Sequence, residues 1–277
     1  MRICYTSDLH GSERHYRQLT DLVRAARPDL LILGGDLFPD GPPEDPAPAQ
    51  VAFVRESFLP LARGWRRELP SLRVACILGN HDWAESERFL TGRPDEPVTL
   101  LAPGRSWKMG GVHFLGYPCS PPAPFWAKEF ERLDQPGDPL PAEGGVVYTN
   151  GAPRRVSAAE HFLAHPTIQA ELAALKPPAA PWIFVCHAPP HDTRLDRLPN
   201  LDAPIGSKAV RAFIERHKPL CALHGHVHES PTVTGAYADE VGGALCVNPG
   251  QDPQRLFAAL FDTADPRGTL RHTVLGA

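Results

Sequence analysis

The sequence lacks several features that would settle its class quickly. No run approaches about 18 uninterrupted apolar residues, so no membrane-spanning helix is expected. There is no excess of positive charge: 28 Lys and Arg stand against 32 Asp and Glu, a formal charge of −4, and no basic-aromatic stripe suited to a nucleic-acid strand is present. None of the six cysteines has a CxxC spacing, and Cys4, Cys76, Cys186, Cys221 and Cys246 lie in or beside apolar runs, which favours small buried thiols over a disulfide or thiolate-zinc framework. No internal repeat is evident. The chain enters an apolar segment at once, without a basic-then-apolar leader, and a reduced cytoplasmic location is the resulting expectation.

What is present is an alternation of short β-rich runs with longer amphipathic ones. Arg2 to Thr6, Asp29 to Gly34 and Leu72 to Leu78 read as strands. Between them, Glu13 to Ala26 carries an apolar helical stripe that Pro28 stops, and Gln50 to Leu69 reads as a helix broken near Pro60. Such β-α-β-α-β order favours parallel strands joined by helical crossovers. Val112 to Gly116 continues as a strand, 117–150 is a Pro- and Gly-rich surface excursion, and Ser157 with Glu160 forms a capping box for a helix to about Leu175. Trp182 to Cys186, Leu220 to Leu223, Leu245 to Asn248 and Leu256 to Phe261 are later strands, with a helix capped by Ser207 over Lys208 to His217. Pro39 to Pro48 is a loop, and residues 1–277 form one α/β domain.

The chemistry lies where strands end. Asp8 and His10 follow the first strand, Asp36 the second, Asn80, His81 and Asp82 the third, His187 a later one, and His226 and His228 another. In an open α/β sheet the carboxyl edge is where such residues converge. Each block alone has a structural reading, as a turn, a cap or a packed imidazole. For His226 and His228 the i, i+2 spacing in extended backbone would project both rings the same way. Taken together, Asp8, His10, Asp36, Asn80, His187, His226 and His228 offer mixed oxygen and nitrogen donors suited to Mn, Fe, Co, Ni or Zn. Seven ligands exceed one tetrahedral centre, whereas two divalent cations about 3.5–4 Å apart can share a bridging carboxylate.

These blocks, Asp8-x-His10, Gly35-Asp36, Gly79-Asn80-His81-Asp82, His187 and Gly225-His226-x-His228, resemble in kind and order those of the calcineurin-like metallophosphoesterase superfamily, in particular its small bacterial and archaeal phosphoesterases. The Asn248-Pro249-Gly250 turn resembles a later feature of the same superfamily. The resemblance implies two mixed β-sheets packed as a sandwich and flanked by helices. It also implies one metal on Asp8, His10, Asp36 and His228 and another on Asp36, Asn80, His187 and His226, with Asp36 as bridge. A metal-bridging hydroxide would attack phosphorus, His81 would protonate or stabilise the leaving alkoxide, and Asp82 would orient His81.

Other residues carry weaker signals. His224 reads as packed behind the site, Trp83 and Trp126 as core or lid, and His191 and Arg194 as either substrate contacts or a solvated turn. The leading functional expectation is a small-molecule phosphodiesterase, with a nucleotide-like substrate as the guess. A phosphomonoesterase or a nuclease of the same superfamily is the alternative, and a non-catalytic protein-binding scaffold the reading from another class. Native metal (manganese among the options) and oligomeric state stay open.

Overall fold

In a computed structural model, which describes residues 1–42, 44–91 and 96–276, the chain builds two mixed six-stranded sheets. Pro43, inside the expected Pro39–Pro48 loop, lies outside the described residues. The first sheet is built around β1 (Arg2–Thr6), β2 (Leu30–Gly34), β3 (Arg73–Ile77) and β4 (Thr99–Leu100), all parallel. The second contains β5 (Trp107–Met109), β6 (Val112–Tyr117), β9 (Trp182–Cys186) and β10 (Cys221–Leu223), with β11 (Ala238–Val241) and β12 (Ala244–Val247) beyond β10. Here β6, β9, β10 and β12 run parallel, and β5 and β11 close the edges antiparallel. β7 (Gly145–Thr149) and β8 (Ala152–Val156) form a separate hairpin, and β13 (Ala259–Asp262) returns to pair antiparallel with β1, followed by β14 (Arg271–His272).

Period-two alternation sorts the strand side chains into layers. Ile3, Tyr5, Leu30, Ile32, Ala75 and Ile77 of the first sheet pack against Phe114, Ile183, Val185, Leu223 and Val247 of the second, forming the core between the sheets. Their alternates, Cys4, Leu31, Leu33, Val74 and Cys76, face a helical layer of α1 (Glu13–Ala26), α2 (Pro46–Phe53), α3 (Leu59–Glu68) and the turn joining α2 to α3; its apolar face includes Leu19, Val23, Val54, Phe58 and Trp65. β2 and β9 are buried along their whole length, which explains why both read as unbroken apolar runs. All six cysteines are free and buried.

Two helical expectations are corrected. The break expected at Pro60 is absent: a π-helical turn over Val54–Phe58 precedes it, with the Leu59 amide donating to Val54 O, and the chain continues helically through Pro60. A wider turn relieves the clash between the proline ring and the carbonyl four residues back. The single helix expected from Ser157 to about Leu175 is two, α4 (Ala158–Phe162) and α5 (Ile168–Ala174). Pro166 interrupts the amide ladder, and Thr167 starts the second helix by accepting from the Ala170 amide. Within α4 only half of the expected capping box forms, because Ser157 accepts from the Glu160 amide while the Glu160 carboxylate pairs with Arg154.

Residues 117–150 are not merely a surface excursion. Ala127, Lys128 and Glu131 are buried there, and β7 with β8 carries Val146 into a small core with Ala47, Trp83 and Ala127. The segment lies against the loops at the carboxyl end of β3. No helix among the described residues is long and apolar enough to cross a membrane.

Candidate metal centre

The parallel order of β1, β2 and β3 brings their carboxyl ends side by side, and the loops beyond them stay paired. Asp8 N donates to Gly35 O, His10 N to Asp36 O and Gly11 N to Leu37 O. From the second sheet, the loops after β9 and β10 meet them: Gly225 N donates to His187 O, and His226 N to Asp8 Oδ1 at 3.0 Å. The crevice thus spans the carboxyl ends of both sheets, as open α/β architecture favours.

Four polar residues there hold left-handed backbone: Asp8 at φ 57°, His10 at 44°, Asp36 at 52° and His226 at 67°. Such conformations are costly for residues with a Cβ, and their clustering is the pattern of a built site. His226 therefore does not share extended backbone with His228, which corrects the expected geometry of that pair. Glycines open the space. A Cβ at Gly79 would lie 2.3 Å from Asp36 Oδ1, one at Gly35 2.6 Å from His187 Nδ1, and one at Gly225 2.6 Å from Asp8 Oδ2.

Two donor groups form around Asp36. Ligand atoms of Asp8, His10 and Asp36 lie within 4.8 Å of one another, as do those of Asp36, His187 and His226. Asn80 joins the second group, its Oδ1 lying 3.1 Å from His187 Nε2 and 2.8 Å from His226 Nδ1. Metal–ligand bonds of about 2.0–2.2 Å at roughly right angles place neighbouring donors about 3 Å apart. The donor chemistry and spacing therefore fit divalent cations. His187 Nδ1 is engaged with Gly34 O at 2.9 Å, which turns Nε2 toward Asp36 Oδ2 at 3.2 Å. His228 is set apart: its ring centre is 6.0 Å from that of His10, its Nδ1 is 3.3 Å from Glu229 Oε2, and it belongs to neither group.

Electrostatics mark the same centre. Burial resists charge on Asp36, but His187, His81 and His10 hold its carboxyl well below the ordinary range. Burial pulls His187 down, yet the charge and hydrogen bond of Asp36 push it up to about 9, so a cation bound there would displace a proton from the ring. Burial, with His187 beside it, drives His226 down to about 3 and keeps that imidazole neutral, as ligation requires.

His81 sits beside this centre, its ring 4.7 Å from that of His10, and its amide donates to Asp36 Oδ1 at 2.8 Å. Gln50 of α2 braces the turn, donating to His81 O and accepting from Trp83 N. The expected partnership of His81 with Asp82 is not found. Asp82 is fully buried and accepts from the amides of Gly79, Leu37 and Phe38. The carboxylate at His81 is that of Asp40, 2.9 Å from Nδ1, and Phe125 stacks on the ring at 3.5 Å. Sequence reasoning missed both, since Asp40 lay in a proline-rich loop and Phe125 in a segment without periodicity.

A model of calcineurin-like phosphoesterases matches residues 1–230. The chain belongs to that family. The matched span ends just beyond His228, so it holds every block of the candidate centre, and the family's dependence on divalent metal ions accords with the donor set. One solved crystal structure aligns with a TM-score of 0.60 at 15% identity, over 98% of this chain and 97% of that one. Another, TT1561 of Thermus thermophilus, aligns at 0.53 and 19%, over 99% and 98%. These two likenesses show the fold. No curated protein sequence matches the chain. Outside the matched span, Asn248 is buried and donates to Leu195 O, Gly225 O and Val227 O, fastening the loop that carries His226 to its place in the phosphoesterase fold.

The remaining residues singled out in the sequence lie outside the donor groups. His224 is buried with Nδ1 against the Cys186 and Ala188 carbonyls, Trp83 is buried against Trp126 and Tyr148, and Arg194 turns to Ala238 and Asp239.

Proposed function

We propose that the chain hydrolyses small phosphodiesters at a dinuclear centre, with Asp36 shared between two divalent cations. The observation that carries this reading is the position of the Asp36 carboxylate in both donor groups, one with Asp8 and His10 and one with His187 and His226. Bound there, the cations would supply the positive charge that acidifies water and neutralises a phosphate.

The chain's own residues do the rest. Asn80 completes the second group, and His228 would join the first by a side-chain rotation, being 40% exposed. His81 stands outside both groups with Nδ1 committed to Asp40, leaving Nε2 as the atom that would meet a leaving oxygen and give it a proton. The cavity beside His10 and His228 is bordered by Ser12, His15, Gln251 and Asp252, with no Lys or Arg among its described lining residues. A dianionic monoester needs positive contacts beyond the metals, so this lining favours a monoanionic diester. The reading extends to nucleotide-like diesters, with a cytoplasmic setting.

The test is turnover of bis(4-nitrophenyl) phosphate against 4-nitrophenyl phosphate by protein stripped of metal and reloaded with Mn, Fe, Co, Ni or Zn. Two equivalents of metal and faster diester turnover are expected, and both should be lost in Asp36→Asn. Faster monoester turnover would reverse the substrate assignment, and one equivalent of metal at full activity would sink the dinuclear reading.

A further inference from the structure

Phe125 belongs to two places at once. One is the site: its ring lies parallel to His81, with 3.5 Å between centres and 15° between planes. The other is a cavity of about 700 Å³ between the chain around Pro122 to Trp126 and the hairpin of β7 and β8, bordered also by Pro141 and Arg155. That volume is within the usual range for a small-ligand site.

Position relative to His81 decides what this cavity can see. In an in-line displacement the nucleophile and the leaving oxygen lie on opposite sides of phosphorus, and a proton donor works only beside the leaving oxygen. Phe125, the cavity residue that touches His81, therefore stands where a departing alcohol would leave the site. The walls here are aromatic: Phe125 and Trp126 have ring centres 5.3 Å apart, and both are half-buried. The segment is also held in place before any ligand arrives. Lys128, 2% exposed, donates to Ala123 O at 2.9 Å and to the fully buried Glu131 at 2.8 Å, so a buried ion pair anchors the turn that carries Phe125. A pre-ordered aromatic wall binds a flat ring at little entropic cost.

We infer that this cavity is the leaving-group subsite and that it selects a planar aromatic alcohol, Phe125 and Trp126 supplying the stacking faces. The assignment rests on the phosphodiesterase reading and on His81 as proton donor.

The experiment uses the metal-loaded protein and two methyl phosphodiesters that differ only in the leaving alcohol, one 2-naphthyl and one a saturated fluoroalkyl of matched acidity. Binding of free 2-naphthol and of its fully saturated counterpart is followed in parallel by ligand-observed NMR. The wild type should prefer the aromatic member in kcat/KM and in binding. Phe125→Leu and Trp126→Leu should each reduce that preference about three- to tenfold, and Phe125→Tyr should retain it. Trp126→Leu separates the cavity from the stack on His81, because Trp126 borders only the former. Equal binding of the two alcohols, or an undiminished preference in both leucine variants, overturns the subsite while leaving the phosphodiesterase reading intact. Absence of all phosphate-ester hydrolysis overturns that reading instead, and the binding comparison then decides the aromatic cavity by itself.

Discussion

Asp40 Oδ1 lies 2.9 Å from His81 Nδ1, joining a loop after β2 to the turn after β3. Burial pulls the His81 pKa down, but Asp36 and the hydrogen bond and charge of Asp40 raise it above its ordinary value, a shift toward the proton-carrying ring. With Nδ1 held, the tautomer and the ring direction are both set. Asp40→Asn should lower kcat about tenfold on an alkyl diester, at the low end for a charged hydrogen bond because Asp40 is 46% exposed. On a 4-nitrophenyl ester, whose leaving group needs no proton, the loss should be small. Equal losses on the two substrates would place Asp40 elsewhere in the mechanism.

His81 itself should show the same dependence more strongly. His81→Ala is expected to bind metal as the wild type does and to lose about 10²–10⁴-fold in kcat on the alkyl ester. Metal analysis beside the rate measurement separates the roles, since a fall in bound metal would make His81 a ligand.

Asp82 has a different task. Its carboxylate receives three backbone amides in a fully buried turn. Asp82→Ala leaves those donors without an acceptor and should cost about 3 kcal/mol or more of stability, read by denaturant unfolding of metal-free protein. An unchanged unfolding midpoint with a selective loss on alkyl esters would return Asp82 to the role expected from the sequence.

The contrast between these two carboxylates shows what a sequence makes legible. Asp8, Asp36, Asn80 and His187 were readable because strands are readable: a short apolar run ends, and the next polar residues fall at its carboxyl edge. Glycine was a second visible sign, and Gly35, Gly79 and Gly225 leave the space that a Cβ would fill. Side-chain direction was not visible. Nothing local tells Asp82 to turn toward the Leu37 and Phe38 amides 45 and 44 residues away, or Asp40 toward His81. The same limit hid the return of β13 to pair with β1, a contact more than 250 residues apart, and the packing of 117–150 against the site. Strand-helix alternation correctly favoured parallel pairing, but the antiparallel edge strands are short and have little periodicity of their own.

Gly79 offers a test of the cradle around Asp36. A methyl group there would lie 2.3 Å from Asp36 Oδ1 and 2.7 Å from His187 Cε1, distances no packed carbon tolerates. Because both belong to the second donor group, Gly79→Ala should reduce bound metal and, with it, activity. Full metal content would show that the loop yields, and would remove the steric argument for glycine at this position.

The last test concerns stability away from the metals. His161 of α4 is 4% exposed and engages Glu131 O through Nε2 at 3.1 Å. Burial drives its pKa down to about 4, with the Glu131 carbonyl opposing and the charges of His165, Arg132 and Lys128 adding to the fall. In the unfolded chain a histidine titrates near 6.5. Between these values the unfolded state holds the extra proton, so the folded state loses stability as pH falls from about 6.5 to 4, and the contribution is complete above 6.5. From pH 7.5 to 4.5 the loss through His161 should be about 2–3 kcal/mol. His161→Gln keeps an N–H for the carbonyl and cannot take the charge. Unfolding free energies of both proteins, measured with chelator present at the two pH values, should therefore show the wild type losing more than the variant by that amount. Parallel pH dependence in the two proteins would mean that His161 takes up its proton in the folded state as freely as in the unfolded one.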